Sequence, residues 1–316
     1  MAERAPQLPA ETDAQGRFVR QASRFLDHVC PDGTTDYPAQ AGRYVLYVSY
    51  ACPWAHRTII VRRLKRLEDV VPMAVVNPYR DERGWGFGEP VGSVADPHEG
   101  FRFLSEAYAI ADPGYAGRVT VPTLWDTETR TIVCNESALV MRMLDRAFDD
   151  FTDVRLDLRP PALVEEIDAL EEEIYEDVNN GVYRCGFAAT QEAYDEAVGR
   201  LFARLDLLDR RLADRRFLMG PAITEVDWRL FTTLVRFDPV YVGHFKANVR
   251  RIADYPNLGP YLRDLYQHPG IAETVRLDEI KRHYYTTHLG LNPLGPIPAG
   301  PALDWDAPHG RGALGG

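Results

Sequence analysis

YVLYVSYACPWAHRTIIVRRLKRLEDVV, residues 44–71, is the stretch that decides the fold. It begins as a run of β-branched and aromatic residues, the composition of a buried strand, and turns after Tyr50 into a segment with Ile60, Leu64 and Leu67 at helical spacing. A second apolar run, VVPMAVVNP, follows at once and reads as the next strand. Strand, helix and strand within about thirty-five residues are the size of one parallel crossover unit. At the strand-to-helix turn stands Cys52-Pro53-Trp54-Ala55. A dithiol redox turn would carry a second cysteine at position 55, and alanine is there instead.

Pro53 falls at the first helical position, where its missing N–H costs nothing. Cys52 therefore sits where the free N–H groups and the positive end of the helix dipole favour a thiolate, the nucleophilic form of the side chain. His56 and Arg57, one turn later, either add positive potential or face solvent. The competing reading of Cys52 is a buried cysteine packed as a small hydrophobe, and the Cys-Pro pair alone does not separate the two.

Working outward, residues 1–39 are polar and turn-rich and read as an N-terminal arm with one aromatic-basic patch, GRFVRQASRF. Residues 40–148 read as a small α/β domain. After its first βαβ unit comes an insertion rich in Gly, Pro and Asp, too long for an ordinary connection and so either functional or partly helical. VTVPTLWD, TRTIVC and the helix ESALVMRMLDRAF complete the domain. Residues 149–288 lose strand patterning and show apolar stripes spaced by threes and fours, as in Ile167, Leu170 and Ile174, or Leu201, Leu205 and Leu208. Thr224 with Asp227 resembles a capping box, with Ile223 and Trp228 at the staple positions, so Asp227 and Trp228 are expected to be structural. Residues 289–316, rich in Pro and Gly, are expected to be an extended or disordered tail.

The 316 residues are 45% hydrophobic and 26% charged, an ordinary composition for a chain with real cores, and the net charge of -11 argues against a nucleic-acid partner. No apolar run is long enough for a membrane span, and the N-terminus lacks the core of a signal peptide, so the protein is expected in the cytoplasm and not at a membrane. Cys30, Cys52, Cys134 and Cys185 have none of the short spacings of a zinc site, and no metal is expected.

Two further features bear on chemistry. In RVTVPTLWD a Val-Pro step precedes a strand; a cis bond there would turn the backbone so that Val121 pairs with an extended, peptide-like ligand. In NES, Glu136 and Ser137 enter a helix, where a carboxylate, a hydroxyl and free N–H groups suit the amine and carboxylate of an amino-acid ligand. Read singly, Asn135-Glu136-Ser137 is a helix cap. In order, the strand, Cys-Pro helix, Val-Pro strand, Glu-Ser helix and helical domain resemble the cytosolic glutathione transferase superfamily. The closer resemblance, nearly chain-long, is to the glutathionyl-hydroquinone reductases, or xi class. It is carried by GRFVRQASRF, YVSYACPWAHRT, GWGF, RVTVPTLWD, NESA, NNGVYRCGFA, FDPVYVGHFK and IKRHYYTTHLGLNP.

That resemblance implies a thioredoxin-like N-terminal domain followed by an all-helical one, with extended arms, and a homodimer. It implies glutathione as co-substrate and a glutathionyl-hydroquinone or related aromatic thioether as substrate. Cys52 would be the nucleophile; Trp85, Arg118, Val121, Glu136 and Ser137 would bind the glutathionyl moiety. Tyr183, Tyr241 and Tyr284 would line the hydroquinone pocket, with Tyr183 and Tyr284 assisting the chemistry, although Tyr285 competes with Tyr284 for the inward position. On the residues alone, Trp85 in its glycine-flanked loop is a lid over a ligand or a plug. Arg118 has the planar fork to pair with a carboxylate or simply lies exposed. His283 and His288 are expected at the surface, and Cys185 as a buried spectator. The competing functions are an omega-like thiol transferase or dehydroascorbate reductase, and a non-catalytic binding module with Cys52 as a relic.

Overall fold

A computed structural model describes residues 11–315. The chain divides into two compact units, each considered by itself. The first comprises Gln21–Leu156 and Glu273–Leu289; the second comprises residues 11–20, Asp157–Ala272 and the chain from Gly290 onward.

In the first unit, β1 (Tyr44–Val48) is buried along its whole length, as expected of a strand apolar on both faces. It leads into α1 (Pro53–Leu64), which ends where Arg66 takes a left-handed conformation at φ 52°, so Leu67 lies just past the helix. β2 (Met73–Val75) pairs parallel with β1, completing the crossover. The long insertion carries one helix, α2 (Leu104–Ala111). β3 (Thr123–Asp126) and β4 (Thr131–Cys134) form the hairpin, and the sheet order is β2-β1-β3-β4, with β1 and β3 antiparallel. α3 (Ser137–Arg146) packs on α1. Lys65, fully buried at the end of α1, is ion-paired with Asp149.

The second unit is helical: α4 (Val164–Ile174), α5 (Gly181–Gly186), α6 (Gln191–Arg211), α7 (Glu225–Arg236), α8 (Val242–His244) and α9 (Leu258–Tyr266). Thr224 and Asp227 form the capping box, and Trp228 is fully buried. Two π-helical turns interrupt the regular periodicity, Tyr175–Asn179 before α5 and Phe237–Tyr241 between α7 and α8. Pro239 accounts for the second, because it has no N–H to continue the α ladder. The final arm is not loose: the buried Arg311 donates to the carbonyls of Leu212, Arg215 and Arg216 beyond the end of α6, and Trp305 packs on Tyr266.

α10 (Leu277–Thr287) follows the helical unit in sequence but belongs to the first, because its side chains are spent on the insertion between β2 and α2. Among the described residues no helix is long and apolar enough to cross a membrane.

Candidate active site

Cys52 is the N-cap of α1, extended at φ -80° and ψ 121°, with Pro53 opening the helix. It is half-buried, and its Sγ lies 3.4 Å from the carbonyl of Val121, to which the thiol donates. The Val121–Pro122 bond is cis, in the segment that leads into β3. The N-terminus of α3 is tied to the same helix. Glu136 is its N-cap: one carboxylate oxygen accepts from the Ala138 N–H at 3.3 Å, and the other from the Ser23 hydroxyl at 2.9 Å. Ser137, buried, accepts from Nη1 of Arg57 at 3.3 Å. The Arg57 guanidinium in turn lies 4.4 Å from the centre of the Trp54 ring.

The two orientations left open for His56 and Arg57 are decided here. His56 and Arg57 do not face solvent: both are buried, His56 with Nε2 2.8 Å from the Thr274 hydroxyl, Arg57 spanning from Trp54 to Ser137. Arg57 is therefore a site residue that the sequence left undecided. A planar guanidinium can lie over an indole face and still donate one N–H to a hydroxyl at its edge.

Trp85 is 4% exposed, its ring stacked on His283 of α10 at 5.0 Å and 20°. His283 and His288 are thus not surface residues; both are buried, and His283 Nδ1 is 2.7 Å from the Pro78 carbonyl. Tyr284 is 1% exposed and Tyr285 8%, so both rings are buried; burial pushes the Tyr285 phenol upward. Tyr284 meets His283 and His288 edge-on, at 5.3 and 5.5 Å. Arg118 is half-buried in the loop before β3, its backbone fixed by the Tyr115 hydroxyl at 2.7 Å and by Gln21 at 3.4 Å.

Tyr183 and Tyr241 belong to the helical unit, with ring centres 6.2 Å apart. Phe245 stacks on Tyr241 at 5.3 Å and 10°, Phe18 and Phe187 flank Tyr183, and the Arg20 guanidinium lies 4.9 Å over the Tyr183 ring, held by Asn180 at 2.7 Å. Tyr241 is fully buried whereas Tyr183 is half-buried, so Tyr183 offers the reachable edge of this cluster. Phe18 and Arg20 come from the aromatic-basic patch GRFVRQASRF, whose role periodicity could not reveal.

The cluster depends on Gly186. A Cβ there would meet the Phe245 ring at 2.3 Å and its Cβ at 2.9 Å, too close for a rotamer change to relieve. Gly186→Ala is expected to lower stability by about 1–3 kcal/mol, read as a smaller urea midpoint, despite the helix-favouring exchange.

His244, beside Phe245, is buried; that burial, with the nearby Lys246 charge second, pushes its imidazole down to about 4. Its folded pKa lies below the unfolded value, so the associated stability is present above about pH 6.5 and is lost as the pH falls through about 4. Thermal unfolding between pH 7 and pH 4 should show up to about 3 kcal/mol of this loss, and His244→Gln should flatten that limb relative to the parent.

Cys134 and Cys185 are buried, and burial pushes each thiol up to about 12, the inert behaviour expected of Cys185. Among the described residues one group, Asp168, Glu171 and Glu225, brings carboxylate oxygens within 4.8 Å of one another. Arg159 bonds to Asp168 and Glu225, and Arg229 to Glu171, so guanidinium groups hold the edges a cation would need.

Comparison with known proteins gives a consistent picture. The family model described as Glutathione S-transferase, N-terminal domain, matches residues 51–147, and the one described as Glutathione S-transferase, C-terminal domain, matches residues 191–264. The chain is 52% identical over 303 residues to glutathionyl-hydroquinone reductase YqjG of Escherichia coli, covering 94% of this chain and 92% of that one. It is 47% identical to glutathionyl-hydroquinone reductase PcpF of Sphingobium chlorophenolicum, covering 91% and 90%. Among solved structures, a Xi-class transferase from Natrialba magadii superposes with a TM-score of 0.88 at 53% identity, covering 91% and 88%. The glutathione-bound structure of YqjG superposes at 0.87 and 51%, covering 91% and 96%.

Proposed function

Because the chain belongs to the glutathione transferase superfamily, in its branch of glutathionyl-hydroquinone reductases, we propose that it reduces glutathionyl-hydroquinones to hydroquinones with glutathione as reductant. The observation that carries the reading is the thiol of Cys52, N-cap of a helix with Ala55 in place of a second cysteine, lying 3.4 Å from a backbone carbonyl next to a cis-proline.

The Cys52 thiolate attacks the sulfur of the conjugate. A sulfur–sulfur bond forms, the sulfur–carbon bond breaks, and its electron pair stays on the ring carbon, which takes up a proton. Departure is easiest from the ketone tautomer of the ring, with Tyr183 and Tyr284 as the proton-donating hydroxyls and Tyr241 as an aromatic wall. The enzyme is left as a Cys52-glutathione mixed disulfide. A glutathione thiolate then attacks it, releasing oxidised glutathione and restoring Cys52. With alanine at position 55 no thiol within the turn competes with this step. Trp85, Arg118, the Val121 backbone, Glu136 and Ser137 hold the glutathionyl moiety in this scheme. A ligand amine at Glu136 would exchange for the bonds its carboxylate now makes to Ala138 and Ser23. The protein is proposed to act as a homodimer in the cytoplasm, a reducing compartment in keeping with the four free thiols; light scattering at twice the chain mass would support the dimer.

The deciding experiment supplies glutathionyl-menadiol, the conjugate at the hydroquinone level, with glutathione and follows menadiol and oxidised glutathione, expected in equal amounts. No quinol from the wild-type protein would count against the substrate class. Turnover of dehydroascorbate in its place would favour the omega-like alternative.

A further inference from the structure

Trp85 lies in the long connection between β2 and α2, and its backbone is held from both sides. Its carbonyl accepts from the Leu104 N–H at 2.8 Å, and the carbonyl of Gly86 accepts from the Asn77 N–H at 2.8 Å. The indole itself is fixed by α10, a helix that the chain reaches only near its end. His283 stacks on the ring at 5.0 Å while its Nδ1 meets the Pro78 carbonyl at 2.7 Å. A carbonyl only accepts, so the proton on this imidazole is assigned to Nδ1. The same helix takes hold of the connection at two further points. The Thr287 hydroxyl accepts from the Arg80 N–H at 3.3 Å, and Arg282 pairs with Glu89 at 2.7 Å. Arg80 also brings its guanidinium to 5.5 Å from the Trp85 ring centre.

We propose that His283 is a positioning residue for the glutathionyl site, holding the Trp85 indole in one orientation by stacking on it while donating to the Pro78 carbonyl. The inference rests on the reading of Trp85 as a glutathionyl contact. A large flat side chain on a glycine-rich loop has many orientations, and a ligand that needs one of them binds more weakly by the fraction of time the others are occupied. The stack removes those alternatives before the ligand arrives. Loss of His283 therefore weakens capture of the glutathionyl group without altering the bond-making step at Cys52.

The test uses the full chain with His283→Ala, His283→Phe, Trp85→Leu and the double variant His283→Ala/Trp85→Leu, assayed with glutathionyl-menadiol. His283→Ala is expected to raise KM about tenfold with kcat within about twofold, the signature of lost binding common to ground and transition states. His283→Phe, which keeps a ring against the indole, should stay within about threefold of the parent in KM. The double variant should be no worse than the poorer single one, because the two residues act as one unit. A fall in kcat at unchanged KM, effects that multiply in the double variant, or a Phe variant as impaired as the Ala variant would each overturn the proposal. If the wild-type protein turns over none of this substrate, the functional reading fails and the near-ultraviolet circular dichroism of Trp85, taken as wild type minus Trp85→Leu, decides instead. Loss of that band in His283→Ala with retention in His283→Phe supports the positioning role; its persistence in His283→Ala overturns it.

Discussion

Cys52→Ser is expected to lower kcat/KM for a glutathionyl-hydroquinone by about a thousandfold or more, about 4 kcal/mol of transition-state stabilisation. The reason lies in the bond to be made. A serine oxygen cannot become half of a disulfide, so the variant lacks the intermediate rather than merely reaching it slowly. The site should otherwise survive, because Cys52 makes no side-chain cap to α1 and its single described side-chain bond is the weak one to Val121. Calorimetry with glutathione should therefore give a Kd within about threefold of the parent, while turnover disappears. Alkylation supplies an independent check. Iodoacetamide should label Cys52 in the native wild-type protein and leave Cys134 and Cys185 unmodified, their thiols being pushed up to about 12 by burial. Full turnover in Cys52→Ser would end the proposed mechanism.

Asp227→Ala should cost about 4 kcal/mol of stability, a large fraction of what a typical domain possesses. The Asp227 side chain is fully buried at the start of α7. One carboxylate oxygen accepts from the Leu218 N–H at 2.9 Å and the Tyr261 hydroxyl at 2.8 Å. The other accepts from the Thr224 N–H and hydroxyl at 2.8 and 2.9 Å. Burial pushes this carboxyl upward, and the four donors pull the other way. Alanine would leave two backbone N–H groups and two hydroxyls buried without their acceptor, which is dearer than never having placed them there. Tyr261→Phe removes one donor instead of the shared acceptor and should cost only about 1 kcal/mol. Denaturant midpoints should thus fall in the order Tyr261→Phe, then Asp227→Ala; equal losses would mean that the carboxylate is not the organising group.

What the sequence made legible was whatever local chemistry or simple periodicity encodes. The β1-α1-β2 crossover follows from apolar runs and Pro53, and the Thr224–Asp227 cap was readable because both partners lie within one turn. The π-helical turns were hidden, since a 3.6-residue period cannot announce its own interruption; Pro239 was the one visible sign. His283 was misplaced because it packs against Pro78 and Trp85, some two hundred residues earlier, where no spacing rule reaches, and His288 because it packs in turn on His283 and Tyr284. Arg57 was ambiguous for the opposite reason. Its neighbours Trp54 and Ser137 were in plain view, but which way a charged residue points near a helix start depends on the tertiary contact between α1 and α3.

The α/β unit is discontinuous, with all of Asp157–Ala272 intervening before Glu273–Leu289 completes it. This has a consequence for biogenesis. The sheet strands pair over short sequence distances and can collapse early, whereas docking of α10 must close a loop the length of a domain, with a correspondingly larger entropic cost and a slower rate. Until that docking, the indole of Trp85 lacks its imidazole partner and the connection around it lacks three of its tethers. On the growing chain the strand-helix turn that carries Cys52 is therefore in place long before Trp85 has its partner. In the proposed scheme the nucleophile and the contacts up to Ser137 are made early and the support of the Trp85 indole last, so a chain interrupted before α10 would keep Cys52 while the Trp85 side of its ligand site stays unheld.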